Sequence, residues 1–348
     1  MKKEKTVDDA YREWLAGKAH LREITLYKYT YLYEKFIGPH LGKRNLQTLK
    51  RKDLSDYYTF LAEERALKSG TIRNYHNIIR QILQYAVEEE YLKKNPADGA
   101  WVFANKRNWR KTSRRHSLSV EEEQALLGFL EEEPAFQRWL PVIRVLLGTG
   151  LRVGELTGLR WCDVDFHQGM IDVNHTLGRV FQREVGCDGN PEYHYRPYIG
   201  PPKTPESHRM IPMLSEVQQA LEMERTLQRK ENVCCKVEID GYTDFIFLNQ
   251  AGGVQTADAL NKAFDRIREA HNAREGEIQL PRFTCHTMRH TFATRLCEAG
   301  ANLKAVQALM GHASIRITMN IYAEAMTSHK KQEMEKLEKL LEDYESGL

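Results

Sequence analysis

Three short stretches of this 348-residue chain set strongly polar side chains where helix and strand patterning alone would not put them. In TGLRVGEL, Arg152 follows Gly148 and Gly150 at the point where one buried helix breaks and another begins, flanked by Leu151, Val153 and Leu156. An arginine in such surroundings needs an anion beside it. Glu155 can be that partner in a purely structural ion pair, and a bound substrate anion is the other reading. In HTMRHTFATRL, His286 and Arg289 lie three apart and share a helix face, with His290 next in line. His286 and His290 also stand at the i, i+4 spacing of two zinc ligands, with His312 available as a third. Thr287 and Met288 offer no carboxylate base, however, and Arg289 would set a cation beside the metal, so neither a metal nor a cofactor is expected. In LMGHASIRITMNIYAEA, Gly311-His312 marks a helix break, and Tyr322 follows ten residues later. As one of sixteen tyrosines, Tyr322 reads by itself as a packing residue on a face with Ile315, Met319 and Ile321.

The elements that must hold these residues are mostly helices. Thr6 is placed to cap a helix carrying Val7, Ala10, Trp14 and Leu15, and Thr25 one carrying Leu26, Tyr29, Tyr33, Phe36 and Ile37 that stops at Gly38-Pro39. A third helix fits residues 54–66 and a fourth 71–91, where Ile72, Tyr75, Ile78, Ile79, Ile82, Leu83 and Ala86 form the apolar stripe. From Ser119, which forms a capping box with Glu122, helices alternate with short strands. MIDVNH (170–175), LGRVF (177–181) and RMIPM (209–213) suggest a small antiparallel sheet, and DFIFL (244–248) another strand. The stretch 184–202, rich in Gly, Pro and Tyr, is too long for a plain turn and reads as an inserted hairpin or a functional loop. The expected fold is therefore mainly α with a small antiparallel β-sheet in the C-terminal domain. Its parts are a four-helix N-terminal domain (1–104), a basic linker (105–117), an α+β domain (118–326) and a C-terminal helix (327–348). That last helix carries Met334, Leu337, Leu340, Leu341 and Tyr344 on one face, suited to docking on its own domain or on a neighbouring subunit.

Charge divides along the same lines. Residues 1–117 hold 25 Lys and Arg against 14 Asp and Glu, a balance of +11, whereas the remainder holds 26 against 34, a balance of −8. Such asymmetry fits a nucleic-acid partner, with a solvated basic face as the bland alternative. Lys43, Arg44, Lys50, Arg51, Lys52, Lys68 and Arg73 are the candidates to face phosphates in the helical domain. In the linker NKRNWRKTSRRH, the residues Lys106, Arg107, Arg110, Lys111, Arg114 and Arg115 can follow a nucleic-acid backbone, or simply make an extended spacer. No run approaches 18 apolar residues and no apolar stretch follows the charged start, so a soluble cytoplasmic protein, nucleoid-associated when bound to DNA, is expected. Six cysteines without a CxxC pair give little support to a disulfide framework or a thiolate zinc site, and reduced thiols are expected.

Taken together, Arg152, Lys203, His286-x-x-Arg289, His312 and Tyr322, in that order, resemble the active site of the tyrosine recombinase (phage-type integrase) family. TGLRVGELTGLRWCDVD resembles its first arginine motif, PPKTPESHRMIPM its lysine strand-turn-strand, HTMRHTFATRL its His-x-x-Arg box and LMGHASIRITMNIYAEA its His/Trp and tyrosine box. The N-terminal helices are similar to the core-DNA-binding domain of that family, and the flavour is that of integrases of conjugative transposons and temperate phages. The resemblance implies a site-specific recombinase working through a 3′-phosphotyrosyl link, with Tyr322 as nucleophile and Arg152 and Arg289 on the non-bridging oxygens. It further implies Lys203 as acid to the leaving 5′ oxygen, His286 as orienting group or base, His312 as donor, Glu155 as buttress and His290 as support. As partners it implies double-stranded DNA attachment sites, a homotetramer on DNA with exchanged C-terminal helices, and accessory excision or bending proteins. The alternatives are a type IB topoisomerase, a non-catalytic DNA-binding protein of the same fold and, more distantly, a metal hydrolase.

Overall fold

The computed structural model describes residues 4–101, 116–185, 191–202, 205–323, 325 and 334. Lys203, the linker cations from Lys106 to Arg115, and the C-terminal helix apart from Met334 lie outside the described residues. The chain divides into two compact units, residues 1–114 with 179–196, and residues 115–178 with 197–348.

The first unit is built on α1 (Val7–Ala16), α2 (Glu23–Leu32), α3 (Arg51–Glu63) and α4 (Ser69–Glu88). Thr6 caps α1 as its type and position demand, accepting from the Asp9 N–H while the Asp9 carboxylate accepts from the Thr6 N–H. The expected stop at Gly38-Pro39 is absent, because α2 runs on into a π-helical stretch, Tyr33–Gly42, that contains Pro39. Tertiary anchors outweigh the lost proline N–H. The Tyr33 ring stacks on Tyr11 with centroids 3.5 Å apart, its hydroxyl donates to Asp8 at 2.7 Å, and the Tyr57 hydroxyl donates to the Phe36 carbonyl at 2.9 Å. Ile37, Leu54, Tyr58, Ile72, Ile82 and Leu83 are fully buried beneath.

In the second unit, Ser119 and Glu122 form the expected capping box of α5 (Val120–Glu132), and α6 (Leu140–Thr149) is buried along most of its length. It leads through Arg152 into the short α7 (Val153–Gly158). Strands β1 (Val164–Asp165), β2 (Met170–Val173) and β5 (Arg209–Pro212) make an antiparallel sheet in the order β1-β2-β5, in register at Ile171↔Ile211 and Val173↔Arg209. Between β2 and β5, β3 (Thr176–Val185) pairs with β4 (Pro191–Gly200), so the Gly/Pro/Tyr-rich stretch is the return arm of a hairpin. Its central part groups with the first unit, where the Tyr193 ring meets the Tyr31 ring edge-on at 5.2 Å and the Tyr193 hydroxyl donates to Glu34. Helices α8 (Ser215–Glu231), α9 (Ala257–Asn272), α10 (Cys285–Glu298) and α11 (Leu303–Met310) and a helix over residues 315–323 complete the unit.

DFIFL is not a strand. Phe245, Ile246, Phe247 and Leu248 are buried on all sides, and their backbone bonds go to two different neighbours: the Ile246 N–H donates to the Leu159 carbonyl at 2.8 Å, and Phe247 accepts from Gln255 at 2.9 Å. A continuous apolar run marks burial but not a ladder.

α6 and α11 both end on a glycine in the left-handed region, Gly150 at φ 59° and Gly311 at φ 57°. A Cβ on Gly150 would lie 2.4 Å from the Phe292 ring and 3.1 Å from the Met310 sulfur. Gly150→Ala is therefore expected to lower the unfolding free energy of this unit by about 2 kcal/mol or more, read from urea denaturation, since left-handed strain and overlap add.

Candidate active site

The two glycine-capped helix ends meet a set of arginines. A helix C-terminus carries unpaired carbonyls and partial negative charge, which a guanidinium satisfies in both respects. Arg152 donates from one Nη to the Gly311 carbonyl at 2.6 Å. Arg289 donates to the carbonyls of Gly150 and Met310, so it ties the end of α6 to the end of α11. Arg209 donates from Nε to the Leu309 carbonyl at 2.6 Å. These contacts also explain the close approach at Gly311, where a Cβ would lie 3.1 Å from the Arg209 guanidinium.

One buried carboxylate neutralises part of this charge. Glu155, in the first turn of α7, accepts from Arg152 Nη1 on Oε1 at 2.6 Å and from the Arg152 backbone N–H on Oε2 at 2.9 Å. Arg209 approaches the same carboxylate with two N–H groups, at 3.2 Å to Oε1 and 2.9 Å to Oε2. Burial pushes the Glu155 carboxyl up, but the hydrogen bonds and charge of Arg209 and Arg152 outweigh it and hold the group below its ordinary value. Glu155 is thus the ion-pair partner of Arg152, whose side chain remains 38% exposed. Arg289 is pushed down to about 9, first by burial and then by the Arg152 cation, a penalty that an arriving anion would relieve.

The histidines differ in setting. His312 is buried, with Nδ1 3.0 Å from the Thr318 hydroxyl. In the tautomer in which that hydroxyl donates, the ring proton sits on Nε2 and is available to an oxygen acceptor. Burial, then the cations Arg289, Arg152 and Arg209, push His312 down to about 4, so it is neutral at pH 7. His286 stands in the first turn of α10, is exposed, and lies close enough to lower His312 as well. His290 is half-buried on the same helix. Tyr322 lies one turn beyond Thr318 and shares its helix face, half-buried against a cluster of Phe292, Ala293, Met310 and Ile321. Of the apolar face expected there, Ile321 and Tyr322 pack inward, whereas Met319 is 53% exposed and Thr318 takes the inward position.

The structure thus brings Arg152, Glu155, Arg289 and His312 into one cluster with His286 beside it, and the Thr318 bond links Tyr322's helix to it. Lys203 lies outside the described residues. In the first unit, Lys43, Arg44, Lys50, Arg51, Lys52, Lys68 and Arg73 are all exposed, with Arg44 engaged by Asp53 at 2.9 Å. Two residues of the cluster were not anticipated. Arg209 was signalled only by the strand alternation of RMIPM, which puts it on the same face as Ile211, and nothing local in the sequence marks Thr318.

A histidine held neutral by its surroundings costs stability in acid. The unfolded chain takes up a proton near the ordinary value of 6.5 and the folded site only near 4, so stability falls as pH falls through that window. Replacing His312→Gln should reduce the loss between pH 7 and pH 4.5 by about 2 kcal/mol, measured by urea unfolding at each pH.

Comparison with known proteins completes the picture. Residues 116–329 match the phage integrase family and residues 2–106 the phage integrase SAM-like domain. The chain is 32% identical over 337 residues to the transposase from transposon Tn916 of Enterococcus faecalis, covering 97% of this chain and 78% of that protein. It is 30% identical over 340 residues to a XerC-like tyrosine recombinase of Caldanaerobacter subterraneus subsp. tengcongensis, covering 96% and 83%. Its structure is similar to that of the Tn1549 transposon integrase in complex with a circular intermediate DNA, with a TM-score of 0.77 and 30% identity over 95% of this chain and 99% of that one. With these relatives, the chain belongs to the phage integrase family and is a tyrosine recombinase.

Proposed function

We propose that the chain integrates or excises a mobile element by cleaving and rejoining duplex DNA at attachment sites through Tyr322. The single observation that carries this reading is the convergence of Arg152 and Arg289 with neutral His312 at two helix ends, in a site whose one buried carboxylate is already paired. A phosphodiester is an anion, and its transition state carries more charge on the non-bridging oxygens. Two preorganised guanidiniums and the His312 Nε2–H stabilise that charge. The Tyr322 oxygen bonds to phosphorus as the 5′ oxygen leaves, giving a 3′-phosphotyrosine. The tyrosine proton passes to His286, and Lys203 protonates the leaving oxygen. One ester replaces another, so religation to a second strand needs no energy source.

The exposed cations Lys43, Arg44, Lys50, Lys52, Lys68 and Arg73, continued by Lys106, Arg107, Arg110, Lys111, Arg114 and Arg115, are proposed to follow DNA phosphates. Glu155 buttresses the site and His290 supports it. Exchange of strands between two duplexes needs four such sites, which supports a homotetramer on DNA whose apolar-faced tails at 327–348 dock in trans, aided by accessory excision or DNA-bending proteins. The Tn1549 integrase, solved in complex with circular intermediate DNA, supports the DNA assignment. The domain boundaries proposed are residues 1–104, 105–117, 118–326 and 327–348. Among the described residues no helix is long and apolar enough to cross a membrane.

The test is covalent trapping on nicked attachment-site DNA in chelator. The native chain should give an adduct that survives denaturation, and Tyr322→Phe should give none; an adduct retained by Tyr322→Phe would refute the nucleophile. Replacing Lys68 and Arg73 together by Ala should weaken DNA binding equally across sequences. It should also lower the slope of log affinity against log salt by about 2, as titration at several salt concentrations would show.

A further inference from the structure

Arg152 and Arg209 both bind Glu155, yet their remaining donors differ. Among the described residues, the Arg152 side chain spends two of its five N–H groups, on Glu155 and the Gly311 carbonyl. The Arg209 side chain is only 6% exposed and makes four contacts: Nε with the Leu309 carbonyl, Nη1 with the Ser207 carbonyl at 3.0 Å and with Glu155 Oε1, and Nη2 with Glu155 Oε2. Little of it is left to face a phosphate. What it does instead is join three segments that are far apart in sequence. Ser207 belongs to the turn that follows Lys203, Glu155 orients Arg152, and Leu309 lies three residues before His312.

We propose that Arg209 is a positioning residue of the strand-cleavage reaction, setting the register among the arginine turn, the lysine turn and the end of α11 without touching DNA. This rests on the reading that Arg152 and His312 act on a phosphodiester. The planar five-donor guanidinium is the one side chain that can serve a carboxylate and two carbonyls at once, and a lysine at this place keeps the charge but not the fork. Loss of Arg209 also leaves Glu155 with Arg152 alone, which draws the Arg152 guanidinium back toward the carboxylate.

The experiment compares Arg209→Met, Arg209→Lys and Arg209→Met with Glu155→Gln in the full chain. Three quantities are read: affinity for a duplex half-site, the single-turnover rate of adduct formation, and backbone hydrogen exchange at Arg152, Gly311 and His312. Arg209→Met should leave affinity within about 3-fold while adduct formation falls about 100-fold or more, and exchange at the three amides should rise at least 10-fold. Arg209→Lys should recover folding but less than a tenth of the rate. The double variant removes the under-paired carboxylate, so it should regain stability without regaining the rate. Adduct formation by a folded Arg209 variant at the native rate overturns the proposal, as does a loss of affinity equal to the loss of rate, which would make Arg209 a phosphate ligand. The exchange measurement needs no DNA. If the native chain forms no adduct, cleavage by this site is refuted, while raised exchange in Arg209→Met still upholds the register and unchanged exchange rejects it.

Discussion

Like charges gathered in a buried site repel strongly, and the second unit depends on how that repulsion is met. Among the described residues, three guanidiniums, those of Arg152, Arg209 and Arg289, are gathered around one carboxylate, Glu155, and five carbonyls, those of Gly150, Ser207, Leu309, Met310 and Gly311. One full negative charge and two helix C-termini do not cancel three positive ones. The residual positive charge is the feature that suits the site to an anion; after burial, it is the second cause that lowers the proton affinity of both Arg289 and His312. An oxyanion meeting such a site finds donors already held in place by Glu155 and the helix-end carbonyls.

The fold is arranged to make that gathering possible. α6 and α11 must each stop abruptly, and each does so on a left-handed glycine, with Phe292 and Met310 packed where a side chain at Gly150 would stand. β5 brings Arg209 inward at the edge of the small sheet, paired with Val173. The helix carrying Tyr322 is tied to His312 through Thr318, so Tyr322 and His312 ride on linked segments.

Much of this was legible from sequence because it is local. Capping boxes at Thr6 and Ser119, the helix break at Gly150, the three-residue spacing of His286 and Arg289, and the apolar stripes of α1, α3 and α4 follow from neighbours within a few residues, whereas α2 begins at Glu23, ahead of the Thr25 expected to cap it. The errors share a cause too. Pro39 does not end its helix because Tyr11, Asp8 and Tyr57, distant in sequence, hold the widened turn; DFIFL has a strand's apolar run because it is buried on all sides; and Arg209 has no local mark because Glu155 and Leu309, which hold it, lie 54 and 100 residues away. Spacing reveals a face, and only tertiary structure reveals what stands opposite it.

The central claim is that the guanidinium cluster exists before DNA arrives. Crystal structures of the full chain, free and bound to half-site DNA with vanadate bridging Tyr322 and the cleaved strand, test it directly. The account predicts that Arg152, Arg209 and Arg289 occupy the same positions in both to within about 1 Å, with Arg152 and Arg289 on the equatorial oxygens and Arg209 still on Glu155. Guanidiniums dispersed in the free protein and assembled only around the vanadate, or Arg209 transferred from Glu155 to the vanadate, would contradict it.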